Sequence, residues 1–230
     1  AGHPRGVEVS FAGLSANAEA SAARLLLTDD DVWAASLSFA HVGGLALLVR
    51  ALLLGSDLVV LGAFDARRLD EALEGRGLPI GYNRPVTHVS LVPIQLKKLL
   101  DERGDEPAPE TARCVLTGGA HAPMALVGRA GRLGWPIALT YGMTEMTSQV
   151  ATADPALTRL KPGTVGAPLN GTEVHIAPDD EIMVRGATLV ERYVGADEVS
   201  ILGDDGWYHT GDLGRIDEDG HLWVTGRRGE

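Results

Sequence analysis

Cysteine is almost missing from this chain. Its 230 residues hold one, Cys114, so no internal disulfide can form, and a reducing cytoplasm is the compartment the composition suggests. The thiol sits within the strand-like run Arg113-Cys114-Val115-Leu116-Thr117, where a buried inert thiol is the expected reading rather than a nucleophile. Positive charge is also scarce. Twenty Lys and Arg face 31 Asp and Glu, a net charge of −11, which argues against partners such as nucleic acid or an anionic membrane that need clustered basic residues. Small anionic ligands are not excluded, because backbone amides and a few arginines can hold a phosphate locally. The longest apolar stretch, Leu45 to Leu54, is interrupted by Arg50 and falls short of the roughly 20 residues a membrane span requires. The seven histidines lack paired ligand spacing and no Cys-x-x-Cys occurs, so a structural zinc site has little support. Internal repeats, low-complexity tracts and long linkers are absent too.

What remains is a chain able to bury a large core, being 45% hydrophobic, as one large domain or two subdomains. Short apolar runs at 32–37, 58–61, 86–91, 113–117 and 136–140 alternate with helix-compatible stretches at 14–27, 45–54, 67–74, 94–103 and 125–133. That alternation predicts an α/β fold, a mostly parallel sheet flanked by helices. Pro93 and Pro123 suit first helical turns. From about Asp154 the pattern changes to short strands with Asp-Gly turns at Asp205-Gly206 and Asp219-Gly220, which predicts a smaller β-rich subdomain. Residues 1–153 and 154–230 are the expected division.

The polar residues concentrate after the apolar run Pro136-Ile137-Ala138-Leu139-Thr140, in Tyr141-Gly142-Met143-Thr144-Glu145-Met146-Thr147-Ser148. An aromatic face, a glycine, a hydroxyl and a carboxylate at a strand's carboxyl end suit a flat ring, a phosphate and a divalent cation. The same residues also suit a helix start, since Thr144, Thr147 and Ser148 are good N-caps and Glu145 favours a first turn. Residue chemistry alone leaves both open. Other loops have comparable alternatives: Thr117-Gly118-Gly119-Ala120-His121 is a glycine-rich turn or a tight connection, and Asp212 is a ligand or a solvated turn residue.

Four stretches taken in order resemble the adenylate-forming acyl- and aryl-CoA ligases: Gly2-His3-Pro4-Arg5-Gly6 like the tail of the phosphate loop, Tyr141-Gly142-Met143-Thr144-Glu145 like the core motif, Tyr208-His209-Thr210-Gly211-Asp212 like the ribose turn, and Gly226-Arg227-Arg228-Gly229-Glu230 like the hinge entrance. Residues 37–45 and 87–96 are most similar to the o-succinylbenzoate–CoA ligases of menaquinone synthesis. The likeness covers nearly the whole chain, beginning inside the phosphate loop and stopping at the hinge, so a lid domain beyond the hinge is expected to be missing and the isolated chain severely impaired. Arg5 departs from the lysine typical of the family, keeping charge while changing donor geometry.

The resemblance implies attack of a carboxylic acid on the α-phosphorus of ATP, then transfer to coenzyme A, with Mg²⁺ as cofactor. It assigns Glu145 to the metal, Thr144 to the α-phosphate and Arg5 to pyrophosphate. Tyr141, Gly142, Gly119 and Ala120 are assigned to the nucleotide, with Asp212 and Arg227 on its ribose. His41, Val42, Gly43, Gly118 and Met143 are assigned to the acid, and Glu230 to the hinge. A homo-oligomer stays open. Alternatives are another aryl- or fatty-acyl–CoA ligase, or a non-catalytic nucleotide-binding fragment. For the second carboxylate of such an acid, His41 and Arg50 are the candidates. About 100° per residue would turn them to opposite sides of one helix, so His41 is expected before the helix facing the ligand and Arg50 paired within the protein or at a subunit contact.

Overall fold

The computed structural model describes residues 6–194 and 200–229. Its first layer is a six-stranded sheet in the order β2-β1-β3-β4-β5-β6. β1 (Val32–Ala35), β2 (Asp57–Val60), β3 (His88–Leu91), β4 (Cys114–Thr117) and β5 (Ile137–Met143) run parallel, and β6 (Ser148–Ala153) closes the edge antiparallel to β5. The expected parallel sheet is present, with β6 added.

Period-two alternation explains why helices cover both faces. Val32 and Ala34 of β1 point into the larger core, with Leu69, Leu73, Leu96, Leu99 and Val127 of the helices behind it, while Trp33 and Ala35 face Leu47 on the other side. All residues of β1, β3 and β4 are buried, the mark of a strand covered on two faces. One cover is α3 (Ala66–Leu73), α4 (Pro93–Arg103) and α5 (Met124–Arg132); the other is α1 (Phe11–Leu25) and α2 (Val42–Leu54). The starts follow local chemistry. Ser10 Oγ accepts from Gly13 N at 3.0 Å, and Asp65 Oδ1 accepts from Arg68 N at 2.8 Å, each satisfying a first-turn donor. Pro93 takes the first position of α4, whereas Pro123 stands one residue before α5.

The largest departure from the sequence reading lies after Thr140. The strand does not stop there but continues through Tyr141-Gly142-Met143, followed by a single 3₁₀ turn, Thr144–Met146. No α-helix follows. Thr147 and Ser148 take φ of 54° and 125°, and the chain returns as β6. Gly142 is required by that return: a Cβ there would lie 2.0 Å from the Ser148 carbonyl oxygen.

The helix α6 (Pro155–Leu160), capped by Asp154 Oδ1 accepting from Leu157 N at 2.8 Å, still packs on the first sheet through Leu157. The second sheet is antiparallel, β10-β9-β8-β7, built from β7 (Thr172–Ile176), β8 (Glu181–Gly186), β9 (Tyr208–Ile216) and β10 (Leu222–Arg227). Ile182, Val184 and Leu222 pack with Met146, Val150 and Ala151 of the first sheet's edge, so one apolar cluster joins the two layers. Cys114 is buried, and burial pushes its thiol up to about 12, as an inert thiol requires. Among the described residues, no helix is long and apolar enough to cross a membrane.

Gly142→Ala is expected to lower unfolding free energy by about 2–3 kcal/mol, because the β5–β6 backbones must separate to admit a methyl group. Urea unfolding of the two proteins measures it; a loss below about 0.5 kcal/mol would show that the strands do not approach this closely.

Candidate nucleotide site

A cleft of about 650 Å³ opens between the carboxyl edge of the parallel sheet and the second sheet, within the roughly 300–1,000 Å³ typical of small-ligand sites. Gly119, Ala120, Tyr141, Gly142, Asp212 and Arg227 all border it. The topology explains the convergence. β4 and β5 are adjacent parallel strands, so the turn after Thr117 and the continuation of β5 emerge side by side. The β9–β10 pairing then brings Asp212 opposite Arg227 from the second sheet.

The central contact crosses the cleft. Tyr141 Oη donates to Asp212 Oδ2 at 2.7 Å, and Arg227 Nη1 lies 3.2 Å from Asp212 Oδ1. Burial, with the adjacent Asp212 carboxylate adding to it, pushes the Tyr141 phenol well above its ordinary range, keeping it a neutral donor. The turn carrying Asp212 is itself fixed: Asp212 N donates to Thr210 Oγ1 at 3.0 Å, and Thr210 Oγ1 donates to the Ile182 carbonyl at 2.7 Å.

Glu145 belongs to a neighbouring group. Half-buried on the 3₁₀ turn, it accepts at Oε1 from Tyr193 Oη at 2.9 Å, and that hydroxyl lies 3.3 Å from Tyr208 Oη. Burial, then the Tyr193 hydrogen bond and the Glu145 charge, hold the Tyr208 phenol neutral well past its usual titration range. A carboxylate with an exposed threonine, Thr144, beside it fits Mg²⁺, which takes one or two protein carboxylates and fills its remaining positions with water and phosphate oxygens. Arg5 and Glu230 lie outside the described residues. The stretch following Arg5 runs antiparallel to 192–194, with Val194 N donating to the Gly6 carbonyl at 2.8 Å and Val7 bridging Tyr193, so it passes beside the tyrosine that holds Glu145.

The residues assigned to the acid are less tightly gathered. His41 is the exposed N-cap of α2, with Val42 and Gly43 in its first turn; none of them borders the cleft. Gly118 has a packing reason of its own, since a Cβ there would meet Thr140 Cγ2 at 2.5 Å. Met143 packs in the cluster between the sheets.

Of the two expectations for Arg50, a partner within the protein or a subunit contact, the structure shows the first. Arg50 is 2% exposed, donates from Nη2 to Gln149 Oε1 at 2.9 Å, and lies 4.9 Å above the Trp33 ring. Burial lowers its pKa to about 10, which leaves it protonated at neutral pH. Gln149 Nε2 donates onward to Thr152 Oγ1 at 2.7 Å, which lies 2.9 Å from Thr140 Oγ1 on the cleft floor. Among the described residues, Nε and Nη1 of Arg50 have no hydrogen-bond partner. Sequence reasoning missed Gln149, Thr140 and Tyr193, for which no motif or periodicity gave a signal.

Among the described residues, Asp217, Asp219 and His221 come close enough together to suggest a cation site. Lys161 already supplies the positive charge there, its Nζ 3.1 Å from Asp217 Oδ2 and also bonded to Asp219.

The model of a family described as "AMP-binding enzyme" matches residues 1–194. The chain belongs to that family. Among AMP-binding enzymes it is 36% identical over 241 residues to a 2-succinylbenzoate–CoA ligase of Geobacillus sp. (strain WCH70), covering 100% of this chain and 47% of that protein. It is 35% identical over 239 residues to one of Bacillus cereus (strain Q1), covering 100% and 48%. The solved o-succinylbenzoate CoA synthetase (MenE) of Bacillus subtilis, in complex with the acyl-adenylate intermediate OSB-AMP, superimposes with a TM-score of 0.87 at 33% identity, covering 99% of this chain and 47% of that one. The same enzyme with ATP and magnesium ion gives 0.86 at 32% identity, covering 98% and 48%. This chain thus spans about half the length of the relatives it matches.

Arg50→Ala is expected to cost about 2–4 kcal/mol in unfolding free energy, since it leaves Gln149 Oε1 unpaired and a cavity under Trp33. Chemical denaturation checks this, and an unchanged midpoint would show that the buried contact is not formed.

Proposed function

We propose that the protein carrying this chain activates o-succinylbenzoate with ATP and transfers it to coenzyme A. The observation that carries this reading is the Tyr141–Asp212–Arg227 contact across a cleft bordered by Gly119 and Ala120, together with relatives whose names state that reaction. Adenine would lie between Tyr141 and the Gly119-Ala120 backbone, with ribose hydroxyls donating to the Asp212 carboxylate and Arg227 beside it. Residues 1–153 would supply the adenine and metal side, and 154–230 the ribose side.

In the first step a carboxylate oxygen of the acid attacks the α-phosphorus, and the bond from that phosphorus to the bridging oxygen breaks to release pyrophosphate. In the second, the coenzyme A thiolate attacks the acyl carbon and AMP leaves. Neither step needs a protein nucleophile, so the buried inert thiol of Cys114 is consistent with both. The chain's work is holding reactants in line and offsetting anion repulsion. Glu145 would hold Mg²⁺, which supplies charge neutralisation on the phosphates; Thr144 would donate to the α-phosphate, Arg5 would meet pyrophosphate, and Glu230 would serve the hinge. His41, Val42, Gly43, Gly118 and Met143 would border the acid. A cytoplasmic setting accords with the single buried thiol.

The Nε and Nη1 of Arg50, without a hydrogen-bond partner among the described residues, favour a second reading for the acid's aromatic carboxylate, in which it or a water bound to it meets Arg50 rather than His41. In the protein at its natural length, His41→Ala is expected to raise KM for the acid more than for ATP. An Arg50→Ala enzyme that folds and selectively loses aryl-acid affinity, while His41→Ala does not, would reverse the order.

Glu145→Gln is expected to slow adenylation by about 10²-fold with a weakened Mg²⁺ dependence, whereas Asp212→Ala mainly raises the nucleotide KM. Unchanged Mg²⁺ dependence in Glu145→Gln would remove the metal role. In a panel of acids, o-succinylbenzoate should have the highest kcat/KM; a better long-chain fatty acid would overturn the substrate.

A further inference from the structure

The turn that carries Asp212 is clamped from below by a buried carboxylate that the reaction does not use. Glu181, at the start of β8, is 6% exposed. Its Oε1 accepts from Gly211 N at 2.9 Å, and its Oε2 lies 3.1 Å from His209 Nδ1 and 3.5 Å from Arg228 Nη2. Gly211 is also held from the other side, because Arg228 N donates to its carbonyl at 2.8 Å. Both peptide groups of the residue before Asp212 are therefore fixed, with Gly211 in a left-handed conformation at φ 72°. A carboxylate this buried is costly unless its partners need it. Here one oxygen is given to a backbone amide, while the other meets two cationic or protonatable side chains. The hydrogen bond to Glu181 and the nearby Asp205 raise the pKa of His209 above its ordinary value, which favours the charged partner.

We infer that Glu181 is a positioning residue for nucleotide recognition: by holding the Gly211 amide it sets the direction of the Asp212 carboxylate, and so the discrimination between a ribose with and without hydroxyls. This rests on the assignment of Asp212 to ribose. Without the clamp, the Gly211 amide loses its acceptor and the Thr210–Gly211 peptide can tilt, while the fold around β8 and β9 persists through the Arg228 bond to the Gly211 carbonyl and through Thr210 and Ile182. The loss should fall on ribose selectivity rather than on binding of the base.

The test measures affinity for AMP and for 2′,3′-dideoxy-AMP by calorimetry in the protein at its natural length. The ratio of the two constants is insensitive to a uniform loss of folded protein. The native protein should prefer AMP by about tenfold or more, and Asp212→Asn should reduce that preference, because two charge-assisted hydrogen bonds are weakened. Glu181→Ala should cut the ratio by about fivefold, and Glu181→Gln, which keeps an acceptor for Gly211, should restore it to within about twofold. Glu181→Asp, one methylene too short to reach both sides, should give an intermediate ratio and serves if the alanine variant does not fold. An Asp212→Asn protein with the native ratio would sink the ribose assignment. A native ratio in Glu181→Ala or Glu181→Asp, with Asp212→Asn impaired, would overturn the positioning role alone.

Discussion

The hydrogen bond from Tyr141 to Asp212 is the contact on which the arrangement of the cleft depends. Tyr141 extends from the parallel sheet and Asp212 from the antiparallel one, so a 2.7 Å bond fixes how far apart the two layers stand at the edge where both expose their turns. Desolvation keeps the phenol protonated, and a neutral donor against a carboxylate is among the stronger hydrogen bonds available in a partly buried site. Behind it, the apolar cluster of Met146, Val150, Ile182 and Leu222 supplies the non-directional attraction that brings the layers together. The cluster closes the interface and the hydrogen bond gives it a register.

That register requires close backbone approach on the first sheet. Gly142 lets β6 return against β5, and Gly118 lets the turn after β4 pass over Thr140. Both glycines lie within the motifs that suggested ligand contacts, and both have a packing reason. In the cleft the two demands coincide, because a backbone that lacks a Cβ against its neighbour also leaves room at the sheet edge where a nucleotide would sit.

The parallel sheet was legible because β1, β3 and β4 are short apolar runs buried on two faces, separated by helices with ordinary start and stop chemistry. The β-rich part was legible from its Asp-Gly turns. β6 was not, since Thr147 and Ser148 read as helix caps and their left-handed backbone is one that residues other than glycine rarely take. Of the site, the residues bordering the cleft from both sheets came from ordered motifs and not from spacing. Arg50 was readable as a buried charge that had to find a partner, but the partner, Gln149, is 99 residues away in sequence. Glu181 carries no local sign at all: a glutamate opening a strand looks like any edge residue until the turn folds over it.

A crystal structure of this chain with AMP tests the central claim, that nucleotide binds between the two sheets on the Tyr141–Asp212 bridge. The account predicts the ribose hydroxyls within hydrogen-bond distance of the Asp212 carboxylate, about 2.6–2.9 Å, and the adenine between Tyr141 and the Gly119-Ala120 turn. AMP bound elsewhere, or bound in the cleft with its ribose turned away from Asp212, would contradict it.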